Sequence, residues 1–192
     1  MKTTPVIRRR NALQTRARIL SAAQEAFSRR SYSEVGIREI AALADVSPPM
    51  LIRYFGSKAG LFEAALIDAV RFEALPELGQ EGLGKRFAQW FTDEELMLLP
   101  PAMIALSTGH EEASAITTRV AEEYAIKPLA RWLGAPDGHL RALEIFMLST
   151  SFVLYTQQLP VLQLSRAGKR KLADWFAESV QAIVDRGQGA AS

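Results

Sequence analysis

Apolar residues recur along this chain at helical spacing, and nowhere do they alternate with polar residues for long. The pattern predicts an all-α protein. Over 13–30, Ile19, Ala23, Ala26 and Phe27 fall on one helix face, and Ser31-Tyr32-Ser33 breaks it. A short helix is expected over 37–44, with Gly36 at its N-cap and Glu39 placed to reach back as in a capping box. Asp45-Val46-Ser47 makes a turn. Ser47 is a suitable cap and Pro48 a suitable first residue for a helix over 48–55. Ser57 then caps a longer helix over about 58–73, striped by Leu61, Phe62, Ala65, Leu66, Ala69 and Val70. After a linker at 75–79, helices are expected over about 83–91, 102–109, 113–132 (bent at Pro128), 138–158 and 167–186.

Composition removes several chemistries. The chain has 192 residues and no cysteine, which excludes disulfides, thiolate metal sites and a cysteine nucleophile. Two histidines are too few for a histidine-rich metal site, and no cofactor motif is present. The basic start, Met1 to Arg10, is not followed by an apolar stretch, so a cytoplasmic protein is expected. Residues 145–165 carry no charge, but Gln157, Gln158, Pro160 and Gln163 interrupt them, which suits a buried helix better than a membrane span. Charge is uneven. Residues 1–60 hold eleven Lys and Arg against four acids, and residues 61–192 hold twelve against seventeen. A basic N-terminal third on an acidic remainder points to one part that meets a polyanion.

The informative segment is 37–55, two short helices joined by a three-residue turn, which is the helix-turn-helix arrangement. Ala41 is small where the helices approach. Ile40, Ala44, Val46 and Leu51 can pack the unit onto the first helix, leaving the second to enter a major groove about 12 Å wide. Pro49, Met50, Arg53 and Tyr54 are expected to face outward.

The longer run is more specific. Thr15-Arg16-Ala17-Arg18-Ile19-Leu20-Ser21-Ala22-Ala23, Phe27, Arg38-Glu39-Ile40-Ala41, Val46-Ser47, Leu51, Tyr54-Phe55-Gly56-Ser57-Lys58 and Leu61 together resemble the tetracycline-repressor (TetR) family of transcription regulators. The likeness covers about 13–70. It implies an N-terminal three-helix DNA-binding domain (1–57, with a loose arm at 1–12), a linking helix from 58, and a helical ligand-binding and dimerisation domain (58–192). It also implies a homodimer on a palindromic operator, most simply a repressor released by a small molecule. Three departures stand out. Asp45 replaces the usual turn glycine, Gly36 a threonine cap, and Ile52 a tyrosine that touches the DNA backbone in the family. Within this frame Arg38 and Arg53 are candidates for guanine or phosphate contacts, and Pro49 and Met50 for a thymine methyl. Ser47, Tyr54 and Lys58 are candidates for phosphate, and Arg8, Arg9 and Arg10 for the backbone or minor groove.

In the second domain, aromatic and aliphatic side chains with few charges suggest an effector of largely apolar character. The candidate pocket residues are Trp90, Phe91, Met103, Leu106, His110, Phe146, Thr150 and Phe152, with Ser149 and Thr108 as further polar anchors. The apolar surplus on the last two helices (Phe146, Met147, Phe152, Leu154 and Leu159; Trp175, Phe176, Val180 and Ile183) suggests the dimer interface. No cofactor is expected. Two other classes fit parts of the pattern: a helical adaptor that binds only protein, and an all-α enzyme using His110 with Glu111 or Glu112. The basic third and the 37–58 segment argue against both.

Overall fold

The structure, a computed structural model, describes residues 5–70, 79–92, 100–159 and 163–186, without the side chains of 5–10 and 158. Helices account for all its regular structure among the described residues. In order they are α1 (Pro5–Arg29), α2 (Ile37–Leu43), α3 (Pro48–Phe55), α4 (Lys58–Val70), α5 (Leu83–Thr92), α6 (Pro100–Ser107), α7 (Glu111–Val120), α8 (Lys127–Leu133), α9 (Gly138–Val153) and α10 (Arg166–Asp185). Most of the linker expected at 75–79, and the end of the helix expected to reach 73, lie outside the described residues.

Two sequence expectations change. The loose arm is not one: α1 begins at Pro5, so Arg8, Arg9 and Arg10 belong to a helix. Proline at the first position costs a helix nothing, and no breaker follows before Arg29. The bend expected at Pro128 is instead a widening. α7 runs through a π-type turn over Ala121–Ile126 directly into α8. Pro128 lacks an N–H and crowds the carbonyl four residues back, and a wider turn just ahead of it relieves both. A second such turn, Leu154–Gln158, extends α9.

Two hydrophobic cores position the functional surfaces. The first joins Ile19, Ala23 and Phe27 of α1 to Ile40, Ala41, Ala44 and Leu51 of α2 and α3, and to Leu61, Phe62, Ala65 and Leu66 of α4. It continues without a break into Met103 of α6 and Ala113, Ile116 and Val120 of α7. Phe62 stands edge-on to Phe27 at 5.0 Å and to Tyr32 at 5.3 Å. The second core packs α5, α8, α9 and α10 around Phe87, Phe91, Leu129, Ile145, Phe152, Phe176 and Val180. Here α5 lies so close to α10 that a Cβ on Gly84 would sit 1.9 Å from the Ala177 carbonyl oxygen. No larger residue fits without parting the two helices.

Arg141 closes the second core. It is 3% exposed, and its guanidinium donates to the carbonyls of Leu133 (3.0 Å), Gly134 (2.7 Å), Pro136 (3.1 Å) and Val184 (3.0 Å). It thus satisfies orphan carbonyls at the C-terminal ends of both α8 and α10, a task for which a planar five-donor fork is suited and an ammonium is not. Each buried carbonyl left unpaired costs about 1–3 kcal/mol. Arg141→Leu should therefore lower stability by about 3 kcal/mol or more in urea unfolding, with Arg141→Lys intermediate. A loss below about 1 kcal/mol for the leucine variant would show that the carbonyls find other partners.

Candidate nucleic-acid interface

The turn between α2 and α3 is made by backbone geometry. Asp45 takes φ 51°, the left-handed conformation that aspartate tolerates better than most side chains, so it replaces a glycine without opening the turn. The Val46 N–H then reaches back to the Ala41 carbonyl at 3.0 Å. Buried Ala41 and Ala44 let the two helices close on each other, and Leu51, 1% exposed, pins α3 to the core.

Around that pin the outward face of α3 is Pro49, Ile52 and Arg53, at the i, i+3, i+4 spacing of one helix face. Met50 and Tyr54 are half-buried rather than outward, and Tyr54 packs against the first core, 6.1 Å from the Phe55 ring. Ile52, noted in the sequence only as a departure, therefore stands beside Arg53 on the exposed face, 44% exposed. Arg38 and Arg53 are exposed and make no ion pair among the described residues. The neighbouring Arg30 and Arg18 are paired, with Glu39 and, at 3.8 Å, with Asp45. Glu39 thus meets Arg30 instead of serving a capping box.

Ser47 occupies the N-cap of α3, but its hydroxyl makes no capping bond. The reason is the sequence after it. Pro48 and Pro49 carry no N–H, and the Met50 N–H already bonds the Ser47 carbonyl at 2.9 Å. The hydroxyl is left exposed beside the recognition face. Ser57 does cap as expected, accepting from the Gly60 N–H at 3.0 Å.

Lys58, at the first position of α4, is partly engaged at home. Its Nζ lies 4.5 Å over the Tyr32 ring and 3.5 Å from the Ser33 carbonyl. Burial holds this ammonium below its ordinary range, and nearby Glu112 offsets that in part. The Tyr32 hydroxyl donates to Glu112 of α7 at 2.9 Å, and the Tyr32 ring stacks at a tilt on His110, 4.7 Å away. Burial, with the Glu112 hydrogen bond and charge, pushes the Tyr32 phenol up to about 12. His110, expected in the pocket, is instead the N-cap of α7, accepting from the Ala113 N–H at 3.5 Å.

Residues 19–65 match the sequence family described as bacterial regulatory proteins, tetR family. Residues 77–184, more than half of the chain, match the tetracyclin repressor-like C-terminal domain. The chain belongs to the TetR family. It is a DNA-binding transcriptional regulator of TetR type, whose helix-turn-helix is α2 and α3. The chain is 39% identical over 57 residues to the HTH-type transcriptional repressor BdcR of Escherichia coli K12, a match spanning 30% of this chain and 29% of that protein. The chain therefore matches less than a third of the length of that curated relative. Its backbone matches that of a TetR-family regulator from Rhodococcus sp. with a TM-score of 0.68 at 18% identity, over 89% of this chain and 98% of that one. It also matches NalD, the secondary repressor of the MexAB-OprM multidrug efflux pump of Pseudomonas aeruginosa, with a TM-score of 0.61 at 19% identity, over 92% and 97% of the two chains. At those identities the likeness is one of fold.

In this TetR-family protein a small cavity of about 40 Å³ lies among α4, α5, α6, α8 and α9. Of the eight pocket candidates, Phe91, Phe146 and Thr150 line it. The other five serve elsewhere. Met103 is sealed in the first core, Phe152 packs on Phe176 at 4.4 Å, Trp90 lies beside Phe87 at 5.2 Å, Leu106 is half-buried off the lining, and His110 caps α7. Helical periodicity gives the buried face but not which core that face enters. The apolar surplus of α9 and α10 sorts likewise. Phe152, Phe176 and Val180 are spent inside the protomer, and the exposed set is Leu140, Leu143, Met147, Tyr155 and Leu159, with Trp175 exposed on α10.

The raised Tyr32 phenol gives a pH signature. Below pH 10 the phenol is neutral in folded and unfolded chains alike. Between 10 and about 12 only the unfolded chain ionises, so this group's contribution is present below 10 and lost as pH rises toward 12. Wild type should lose about 2 kcal/mol more than Tyr32→Phe across that window in urea titrations. Parallel losses in the two proteins would show that Tyr32 is not held neutral by the fold.

Proposed function

We propose that this protein is a homodimeric, effector-responsive regulator, acting as a repressor on a palindromic operator, rather than an enzyme or a protein-only adaptor. The observation that carries the reading is the exposed face of α3: Pro49, Ile52 and Arg53, the last without an ion pair among the described residues, with Ser47 exposed at the N-cap and Arg38 exposed on α2. In this reading Arg53 takes the base edge and Arg38 a phosphate or guanine. Pro49 and Ile52 offer apolar contact to thymine methyls, with Met50 at their border. Ser47, Tyr54 and Lys58 hold phosphates. The cytoplasm is the expected site of action, and no described helix is long and apolar enough to cross a membrane.

The effector acts by population shift. A cavity of about 40 Å³ has room for no more than about three waters, so any ligand must widen it. Val70 at the end of α4 is part of its wall, and Lys58 at the other end of α4 adjoins the DNA surface. Widening the wall tilts α4, which parts the Tyr32–Glu112 contact from Lys58 and changes the spacing of the two heads. The exposed row on α9 and α10 supports the dimer. Its positions 140, 143, 147 and 155, at helical spacing, form one apolar stripe of the kind that packs against its own two-fold copy.

Duplexes selected from a random pool test the reading. Arg53→Ala should weaken binding to the selected site by about 1–3 kcal/mol and relax one base position. Lys58→Ala should weaken all duplexes alike and reduce the salt slope by about one. Equal loss of specificity from both would refute the roles given to them. Met147→Asp is expected to turn the dimer into a folded monomer in sedimentation and to abolish tight operator binding together. A dimer that survives it would move the interface away from this row.

A further inference from the structure

The cavity wall is almost wholly hydrocarbon, formed by Val70, Phe91, Ile104, Phe146 and their neighbours, and no charged residue is among those lining it. Two adjacent hydroxyls on α9, Ser149 and Thr150, interrupt it. Thr150 donates back to the Phe146 carbonyl at 2.9 Å, so its proton is used. Serine within a helix has the same option toward the carbonyl four residues back. Ser149 does not take it. Its Oγ is closed off from solvent and has no hydrogen-bond partner, and no other buried side-chain polar atom among the described residues is left so. A buried hydroxyl without a partner is a standing cost to the empty protein, and native structures keep such groups rarely.

We propose that Ser149 is the polar anchor of the effector site, and that the effector is a compact, uncharged, mainly hydrocarbon molecule bearing one hydrogen-bonding oxygen: a phenol, an alcohol or a ketone. The inference rests on the reading of this domain as effector-responsive. A hydroxyl both donates and accepts, so Ser149 serves either kind of oxygen. An ionised ligand would be stripped of water against a wall that offers no counter-charge, which excludes carboxylates, phosphates and ammonium compounds. A ligand with more polar groups than Ser149 and the acceptor side of Thr150 can meet would leave the rest unpaired. As the ligand widens the cavity, its oxygen replaces the missing partner of Ser149, so the wall loses an unpaired group at the moment it opens.

The test uses the full chain without DNA, with phenol and toluene as a near-isosteric pair and benzoate and benzylammonium as charged counterparts. Calorimetry and the thermal midpoint report binding. Phenol should bind wild type roughly tenfold more tightly than toluene, and the charged pair should leave the midpoint unchanged. In Ser149→Ala toluene should bind as before and the advantage of phenol should vanish, whereas Thr150→Val should keep it. Without ligand, Ser149→Ala should melt at or above the wild-type temperature, because the hydroxyl removed had no partner. A lower midpoint for that variant, no binding of phenol, an undiminished preference for phenol, or stabilisation by a charged compound would each overturn the proposal. DNA release is scored separately. Phenol that binds through Ser149 yet leaves the selected duplex bound counts against the effector-controlled regulator and for the anchor.

Discussion

The head and the body of this protein share one hydrophobic core, and α4 is the beam they share. Leu61, Phe62, Ala65 and Leu66 share one cluster with the buried residues of α1, α2 and α3 and with Met103, Ala113, Ile116 and Val120 of α6 and α7. Straps reinforce the contact. Gln24 of α1 donates to the Ala65 carbonyl at 3.1 Å and to Asp68 at 3.0 Å, and Arg119 of α7 meets Glu63 at 2.8 Å. Interiors packed at crystal density do not deform smoothly. A head built this way cannot swivel on a hinge; it moves when α4 moves, and α4 moves only by repacking against α6 and α7. Any signal passing between head and body must then pass through that core, whose polar margin is Tyr32, His110 and Lys58.

Buried polar groups are handled in two opposite ways. Arg141 sits deep in the second core with four carbonyls around it and no carboxylate among those partners, so its charge is met by dipoles at the ends of α8 and α10. Ser149 lies eight residues beyond Arg141 on the same helix, about two turns, and its hydroxyl has no partner. One helix therefore carries a four-carbonyl staple near its start and an unsatisfied hydroxyl in its last third. The first fixes where α9 begins; the second leaves a polar group without a partner in the cavity wall.

Much of the fold was legible in the residues. The spacing of Ile19, Ala23 and Phe27, the proline after Ser47 and the cap at Ser57 point to the first four helices, with α2 and α3 bounded close to where they stand, because local capping and amphipathic burial decide them. The start of α1 was misread, since basic residues suggest an arm and say little against a helix. The DNA face was legible as a segment and less so residue by residue. Ile52 and Met50 are both apolar, and only the rotation of α3 about Leu51 decides which is exposed. The cavity was the least legible part. Met103, Phe146 and Phe152 are alike on a helical wheel, and their division between two cores, a cavity wall and a ring stack depends on contacts far apart in sequence.

Pro48 and Pro49 carry a consequence for how α3 meets a duplex. A helix start ordinarily offers a nest of free amides that grips a phosphate. Here two of those amides do not exist, and the third, that of Met50, is turned to the Ser47 carbonyl. In the role proposed for it, this helix has no anion hook of its own at its start, so contacts there fall to side chains. The same two rings fix their φ angles before any DNA arrives, so the entropy of ordering the first turn is spent in folding and not in association. On the proposed reading, docking at this end is a meeting of preset surfaces, in which selectivity comes from fit and not from a segment that freezes onto its target.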